Sequence, residues 1–205
     1  MKNVSYLLPF LLALTCYHAF AQNKASQQER RTVAQVLHRS IAGTEREFTG
    51  AAEAMPEDKF EFAPTNGEFK DVRTFAEQIK HVAAVNYVYG AAILGEKVPD
   101  DETGPVSVKT KGQILKYLKE SFEYLYKAVD TIDDKNLIEP VKSPFGVGTV
   151  TRLGIATSAS NHVWDHYGQM VEYLRMNNIV PPASRYMPVA LLCVPPCLLC
   201  FATLV

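Results

Sequence analysis

Four long stretches of the chain repeat apolar residues every three or four positions, and this pattern most limits the folds open to it. Such spacing places apolar side chains on one face of an α-helix. The predicted helices cover residues 27–55, 71–94, 111–132 and 151–178. The later half of the second stretch, VAAVNYVYGAAIL, is apolar on nearly every face, as expected of a helix buried on several sides. No segment alternates polar and apolar residues long enough to predict a strand.

The connections between these stretches contain proline and glycine, at residues 64–67, 99–105 and 140–148. Thr110 is a candidate cap for the third helix, Thr149 or Thr151 for the fourth, and Gly95 is a candidate stop for the second. Four amphipathic helices without a sheet must bury their apolar faces against one another. The sequence therefore predicts an all-α protein, a four-helix bundle, formed by one domain over residues 22–185.

The first 21 residues have the pattern of a secretory signal peptide. Lys2 provides a positive start, the segment LLPFLLAL a short apolar centre, and Ala19-Phe20-Ala21 a small-x-small cleavage site. The apolar run is shorter than the roughly 20 residues that span a bilayer. We therefore expect an exported protein, either periplasmic or extracellular.

The last 20 residues, 186–205, carry no charge and are mostly apolar. Two interpretations stay open for this tail. It is a membrane anchor, which would be the only membrane contact of the protein, or it is a non-native extension of a domain that ends near Arg185. Pro188, Pro195 and Pro196 count against a regular helix, because proline removes a backbone donor and clashes with the preceding turn.

The positions of the cysteines restrict the chemistry of the domain. One of the four lies in the predicted signal peptide and three lie in the apolar tail, so residues 22–185 contain none. Disulfides cannot hold this part together, and any metal site in it must use His, Asp or Glu. The net charge of −1 and the pI near 6.5 argue against nucleic-acid binding through a basic surface.

Three of the four histidines in residues 22–185 are placed to bind one metal ion. His162 and His166 are four residues apart on the fourth predicted helix, so both imidazoles lie on one face, one turn apart. His81 lies where the second helix becomes apolar, and an unpaired histidine there would be a costly buried polar group. Metal sites in bundles use inward residues of facing helices, so His81 completes a three-histidine set. Three neutral imidazoles suit Zn²⁺, Ni²⁺, Fe²⁺ or Cu²⁺.

The arrangement resembles the DinB family of four-helix-bundle metalloproteins, also called DinB/YfiT-like. The resemblance is carried by FAEQIKHVAAVNYVYG on the second helix, HVWDHYGQ on the fourth and the ending NNIVPPASR, and it spans about residues 27–185. It implies one divalent transition metal ion, such as Zn, Ni or Fe, bound by His81, His162 and His166.

Other polar residues near these histidines have two interpretations each. Glu77 lies one turn before His81, and Asp165 lies three residues after His162. Either could orient a ligand imidazole or serve as a general base, but a solvated helix face is the favoured interpretation. Asn161 and Gln169 would support the site or join helices. His38 is expected at the surface, and four aromatic residues are expected to pack in the core: Tyr87, Tyr89, Trp164 and Tyr167.

Two functions fit such a site. Three protein ligands leave a coordination position open, which is typical of a metal-dependent hydrolase or transferase acting on a small molecule. Some relatives resemble thiol-dependent S-transferases, but their thiols are chiefly cytosolic, and this counts against thiol transfer in an exported protein. The alternative is a non-catalytic metal-binding or interaction module, for example a homodimer that buries outer helix faces.

Overall fold

The structure is a computed structural model, and it describes residues 30–68, 70–99 and 101–185. The predicted signal peptide and the apolar tail lie outside these residues. The chain divides into two units at the boundary between residues 32 and 33, and the account below concerns the second unit. Among the described residues, none of the helices combines the length and the apolar character needed to cross a membrane.

The described residues are mostly helical, with four long helices, one short helix and a small hairpin. The helices are α1 (Val33–Ala54), α2 (Phe75–Leu94), α3 (Lys111–Val129), α4 (Arg152–Met176) and the four-residue α5 (Pro182–Arg185). A 3-10 helix over Glu57–Lys59 follows α1, and strands β1 (Pro140–Lys142) and β2 (Thr149–Thr151) precede α4.

The four long helices share one hydrophobic core. Helix α2 packs against α3 and α4, and α1 packs against the same two helices, so α1 and α2 lie diagonally across the core. Sixteen of the twenty residues of α2 are buried, which confirms the prediction of a helix covered on several sides. The largest fully buried side chains include Phe48, Phe75, Leu118, Phe122 and Met170, which come from all four helices.

Short side chains fix where the long helices begin. Thr74 caps α2 in a capping box, because its hydroxyl accepts from the Glu77 amide while the Glu77 carboxylate accepts from the Thr74 amide. Thr110 caps α3 in the same way with Gln113, and Thr151 caps α4. The caps at Thr110 and Thr151 confirm two of the sequence predictions.

The predicted helix ends are corrected by a few residues. Helix α2 begins at Phe75 and not at Asp71, because Asp71 has a left-handed φ of +62° that no α-helix accepts. Helix α3 ends at Val129, and α4 ends at Met176, two residues before Asn178, which has a φ of +61°. Gly95 ends α2 in a left-handed conformation with a φ of +71°, as predicted.

The prediction of a mostly helical protein is confirmed, and the structure adds one small hairpin that the sequence did not predict. Strands β1 and β2 form an antiparallel hairpin in which Pro140, Val141 and Lys142 pair with Thr151, Val150 and Thr149. Each strand has only three residues and is largely exposed, so it is too short for a polar–apolar alternation to predict it. Gly146 and Gly148 have φ values of +84° and +97°, and this left-handed backbone closes the turn within residues 140–148, whose proline and glycine predict a connection without regular structure.

Arg152 joins the beginning of α4 to the end of α2. Its Nε donates a hydrogen bond to the Ile93 carbonyl at 3.2 Å, and its Nη1 pairs with the Glu139 carboxylate at 2.7 Å. The first contact satisfies a carbonyl in the last turn of α2, which has no partner within the helix. Because the beginning of one helix is bound to the end of the other, α2 and α4 are antiparallel neighbours.

Candidate metal centre

The antiparallel packing of α2 on α4 brings the three predicted histidines together. His81 lies on α2, while His162 and His166 lie one turn apart on α4. One ring nitrogen of each lies within 4.8 Å of the other two, and within the part of the chain that the structure describes this is the group of side chains suited to hold a metal ion. The Nε2 atoms of His81 and His162 are 3.1 Å apart.

These distances fit a metal site. Nitrogen ligands bind zinc at about 2.0–2.1 Å, so two of them in tetrahedral geometry lie about 3.3 Å apart. The three rings stand edge to face, with centroids 4.5–5.0 Å apart and interplanar angles of 63–69°. Within this packing, each ring contributes one nitrogen atom to the group that could hold an ion. His81 and His166 are each only 6% exposed.

Two of the imidazoles are oriented by hydrogen-bond acceptors at their Nδ1 atoms. The Nδ1–H of His81 donates to the Glu102 carbonyl at 2.8 Å, and the Nδ1–H of His166 donates to Oε1 of Gln78 at 2.5 Å. Since a carbonyl oxygen only accepts, each ring carries its proton on Nδ1 and leaves a lone pair on Nε2. Partners of this kind fix the ring orientation of histidine ligands in metal proteins.

His162 differs from the other two. Its Nδ1 is buried and has no hydrogen-bond partner among the described residues. A buried ring nitrogen without a partner carries a free-energy cost. Of the three candidate ligands, His162 therefore has the least support from the described residues.

A chain of polar side chains continues from Gln78. The amide nitrogen of Gln78 donates to Oε1 of Gln169 at 2.9 Å, and the amide nitrogen of Gln169 donates to Asp165 at 3.2 Å. Gln169 and Asp165 are therefore joined to His166 by hydrogen bonds through Gln78, and the charge of Asp165 also acts on His166 directly. Gln78 was missed by the sequence analysis, although a polar residue three positions before His81 within a buried face was an available signal.

The other predicted site residues lie elsewhere. Glu77 is exposed and occupied in the capping box of α2, so it does not orient His81. Asn161 is exposed. His38 lies on α1, where its Nδ1 is 3.1 Å from the Asp130 carboxylate and its ring stacks on Tyr126.

The prediction that the aromatic residues pack in the core holds only in part. Tyr89 is 8% exposed and its ring lies edge-on to His162, with centroids 6.1 Å apart. Trp164 is 44% exposed, so its assignment to the core is wrong. It lies two positions from His162 and His166 on α4, a spacing that turns it toward solvent when they face inward.

Burial keeps the three imidazoles neutral. Together with the neighbouring imidazoles and the charge of Arg73, it lowers the pKa of His162 to about 3. Burial, His81 and Arg73 lower the pKa of His166 to about 4, although the charge of Asp165 opposes this shift. Burial also lowers the pKa of His81, although the hydrogen bond to Glu102 opposes this shift. At neutral pH all three rings offer a lone pair, which is the form that binds a metal ion.

Fold and site together define a class: a mostly helical protein in which two facing helices present a buried group of three histidines. The DinB superfamily model matches residues 40–170, and the chain belongs to this superfamily. A search of the curated proteins found no match.

Solved structures show the same fold at low sequence identity. A DinB-like protein from Bacillus cereus ATCC 10987 is 16% identical, with a TM-score of 0.60 over 74% of this chain and 97% of that one. A conserved protein from Enterococcus faecalis is 18% identical, with a TM-score of 0.58 over 72% and 98%. A mycothiol-dependent maleylpyruvate isomerase is 15% identical, with a TM-score of 0.53 over 67% of this chain and 60% of its own.

Proposed function

We propose that His81, His162 and His166 bind one divalent transition metal ion, and that the protein is a metal-dependent hydrolase or transferase. The observation that carries the proposal is the convergence of three neutral imidazoles, two of which have their protons held on Nδ1 by Gln78 and Glu102. An ion held by three histidines supplies Lewis acidity at a coordination position that the protein leaves open.

The chain's own residues have distinct roles in this proposal. Gln78 and the Glu102 carbonyl hold two rings in the binding tautomer, and burial excludes the protons that would compete with the ion. Tyr89, edge-on to His162, forms part of the apolar surroundings. One solved neighbour is an isomerase, which supports catalysis as a property that this fold can carry.

We further propose that the domain is a four-helix bundle over residues 22–185 and that residues 1–21 direct its export. The four long helices around one core support the first part, and the pattern around Ala19-Phe20-Ala21 supports the second. Intact-mass measurement on protein from a periplasmic fraction tests the export. A mature chain that begins at Gln22 is the expected result, and a retained Met1 in that fraction would contradict it.

Metal analysis tests the central proposal. Protein purified without a nickel column, then reconstituted separately with Zn²⁺, Ni²⁺ and Fe²⁺, is expected to hold about one ion per chain by elemental analysis. His162→Ala is expected to lose the ion, and His38→Ala, a histidine outside the cluster, is the matched control. Wild-type protein without stoichiometric metal after reconstitution would disprove the proposal.

Activity separates an enzyme from a non-catalytic metal-binding module. A panel of thiol-transfer, ester and amide substrates is assayed with metal-loaded and chelator-treated protein. We expect activity on at least one class that disappears with chelator and returns with metal. Metal binding without turnover of any substrate would favour the module, and turnover that ignores chelator would exclude the metal from the reaction.

A further inference from the structure

A cleft of about 500 Å³ lies between the segment that follows α2 and the β1–β2 hairpin. Residues 96–99 and Glu102 form one wall, residues 142–146 form the other, and the buried Val88 lies at the cleft as well. The volume is in the range of pockets that hold small organic molecules.

The cleft adjoins the three-histidine cluster at two places. Glu102, which lines the cleft, accepts the hydrogen bond from His81 through its backbone carbonyl. Phe145, on the opposite wall, lies edge-on to Tyr89 with centroids 5.4 Å apart, and Tyr89 lies edge-on to His162. A molecule in the cleft would therefore be separated from the cluster by the Glu102 backbone on one side and by Phe145 and Tyr89 on the other.

The Phe145 wall is held in place by the hairpin. The Ser143 hydroxyl donates to the Phe145 carbonyl at 2.6 Å, and the Ser143 amide donates to the Gly148 carbonyl at 3.1 Å. Phe145 is 41% exposed even though its ring contacts Tyr89. A fixed aromatic ring with one open side can contact an apolar ligand at little cost in conformational entropy.

The charged side chains of the cleft differ in the contacts that they make with the protein. Lys97 and Lys142 are exposed on opposite walls, and the side chain of neither forms an ion pair or hydrogen bond with a described residue. Glu96 accepts a hydrogen bond from the Tyr124 hydroxyl at 2.5 Å. Glu102 is exposed and places its backbone carbonyl on His81. The two lysines are therefore the cationic groups that the cleft offers to a ligand.

We propose that this cleft binds a small organic acid, with its carboxylate between Lys97 and Lys142, its apolar part along Val88 and Phe145, and its opposite end toward the three-histidine cluster. The role of this molecule as a substrate rests on the proposed metal-dependent function. Its binding does not, because the lysines and the apolar wall are present with or without an ion.

Binding to chelator-treated protein tests the cleft separately from the metal. The probes are 4-phenylbutyrate, the neutral 4-phenylbutanol and the cationic 4-phenylbutylamine. Their binding is measured by titration calorimetry and by changes in amide chemical shifts. We expect the acid to bind at least about tenfold more tightly than the alcohol, with shifts at residues 96–99 and 142–146. Equal affinity for the acid and the amine would overturn the proposal.

Charge reversal identifies the groups that bind the acid. Lys97→Glu with Lys142→Glu is expected to weaken phenylbutyrate binding about tenfold or more while leaving phenylbutanol unchanged. The matched control is Lys109→Glu with Lys135→Glu, which changes the net charge equally at exposed positions outside the cleft. An equal loss in both double variants would mean that the overall charge and not the cleft attracts the acid, and would contradict the proposal.

The orientation of the bound acid in the cleft is tested with Co²⁺, whose paramagnetism broadens the signals of nearby protons. In cobalt-loaded protein we expect stronger broadening of the phenyl protons of 4-phenylbutyrate than of the protons next to its carboxylate. The reverse order would place the carboxylate at the ion and overturn the proposed orientation. Failure of the chain to bind cobalt would refute the metal site and leave the result with chelator-treated protein standing, so the two failures are distinguishable.

Discussion

Gln78 accepts a hydrogen bond from His166 at 2.5 Å, although the two residues are 88 positions apart in the chain. The amide is buried, and its nitrogen is already bound to Gln169. Gln78 can therefore present only its oxygen to the imidazole, and this fixes the proton of His166 on Nδ1. The tautomer of one candidate ligand on α4 is thus determined by a side chain of α2.

Replacement of Gln78 tests this role. Gln78→Leu removes the acceptor and is expected to lower metal affinity by about 10–100-fold, measured by competition with a chromogenic chelator. Gln78→Glu keeps an oxygen at this position and is expected to retain most of the affinity. Equal losses in both variants would indicate that packing and not the hydrogen bond matters here.

Glu77, the residue next to Gln78, is expected to affect the stability of the fold and not the binding of metal. Glu77→Ala breaks the capping box of α2 and is expected to lower the free energy of unfolding by about 1 kcal/mol. Metal affinity should stay within about twofold of wild type, because Glu77 contacts no histidine. Urea unfolding and the same chelator competition measure both quantities. A large loss of affinity would show that Glu77 acts on the site after all.

Gly104 shapes the loop that brings the Glu102 carbonyl to His81. Its φ is +79°, and an added Cβ would lie 3.1 Å from the Tyr117 ring. Gly104→Ala is therefore expected to cost about 1–2 kcal/mol of unfolding free energy, and to weaken metal binding as the Glu102 contact shifts. Gly112→Ala is the matched control, because an added Cβ there meets nothing within 4 Å. Equal behaviour of the two variants would contradict the prediction.

The lowered pKa values predict how stability depends on pH. In the unfolded chain histidine has a pKa of 6.5, whereas burial lowers that of His162 to about 3 and that of His166 to about 4. At pH values between the folded-state and the unfolded-state pKa, the unfolded chain binds more protons than the folded one. The stability of chelator-treated protein should therefore fall as the pH is lowered from 7 toward 4. Above pH 7 this contribution should be constant.

Thermal unfolding at several pH values measures this dependence. His162→Gln combined with His166→Gln should reduce the loss of stability on acidification, because two of the three buried imidazoles are gone. A double variant that loses as much stability as the wild type over the same pH range would assign the effect to other groups.

The helices and the three histidines could be predicted because their signals are local. The four-residue spacing of His162 and His166 and the apolar surroundings of His81 are properties of single helices. The orienting contacts could not be predicted in this way. Any residue at position 102 has a backbone carbonyl, so the partner of His81 leaves no signal in the sequence, and the partner of His166 lies on another helix.

The hairpin and the beginning of α2 were missed for a related reason. Three-residue strands exist only because they pair with each other, and their pairing depends on a turn with left-handed glycines. The beginning of α2 was placed four residues too early because the apolar spacing extends to Val72, whereas Thr74 and Asp71 decide where the helix can form.

The antiparallel packing of α2 and α4 has a consequence for the chain as a whole. His81 and His162 are 81 positions apart, so an ion bound to both would tie the polypeptide into a long closed loop. Residues 22–185 contain no cysteine, and such an ion would join distant parts of this segment as a disulfide does elsewhere, stabilising the folded chain because it binds a site that exists only there. Unlike a disulfide, this cross-link could be installed or withdrawn by the supply of metal in the surroundings, without oxidation or reduction.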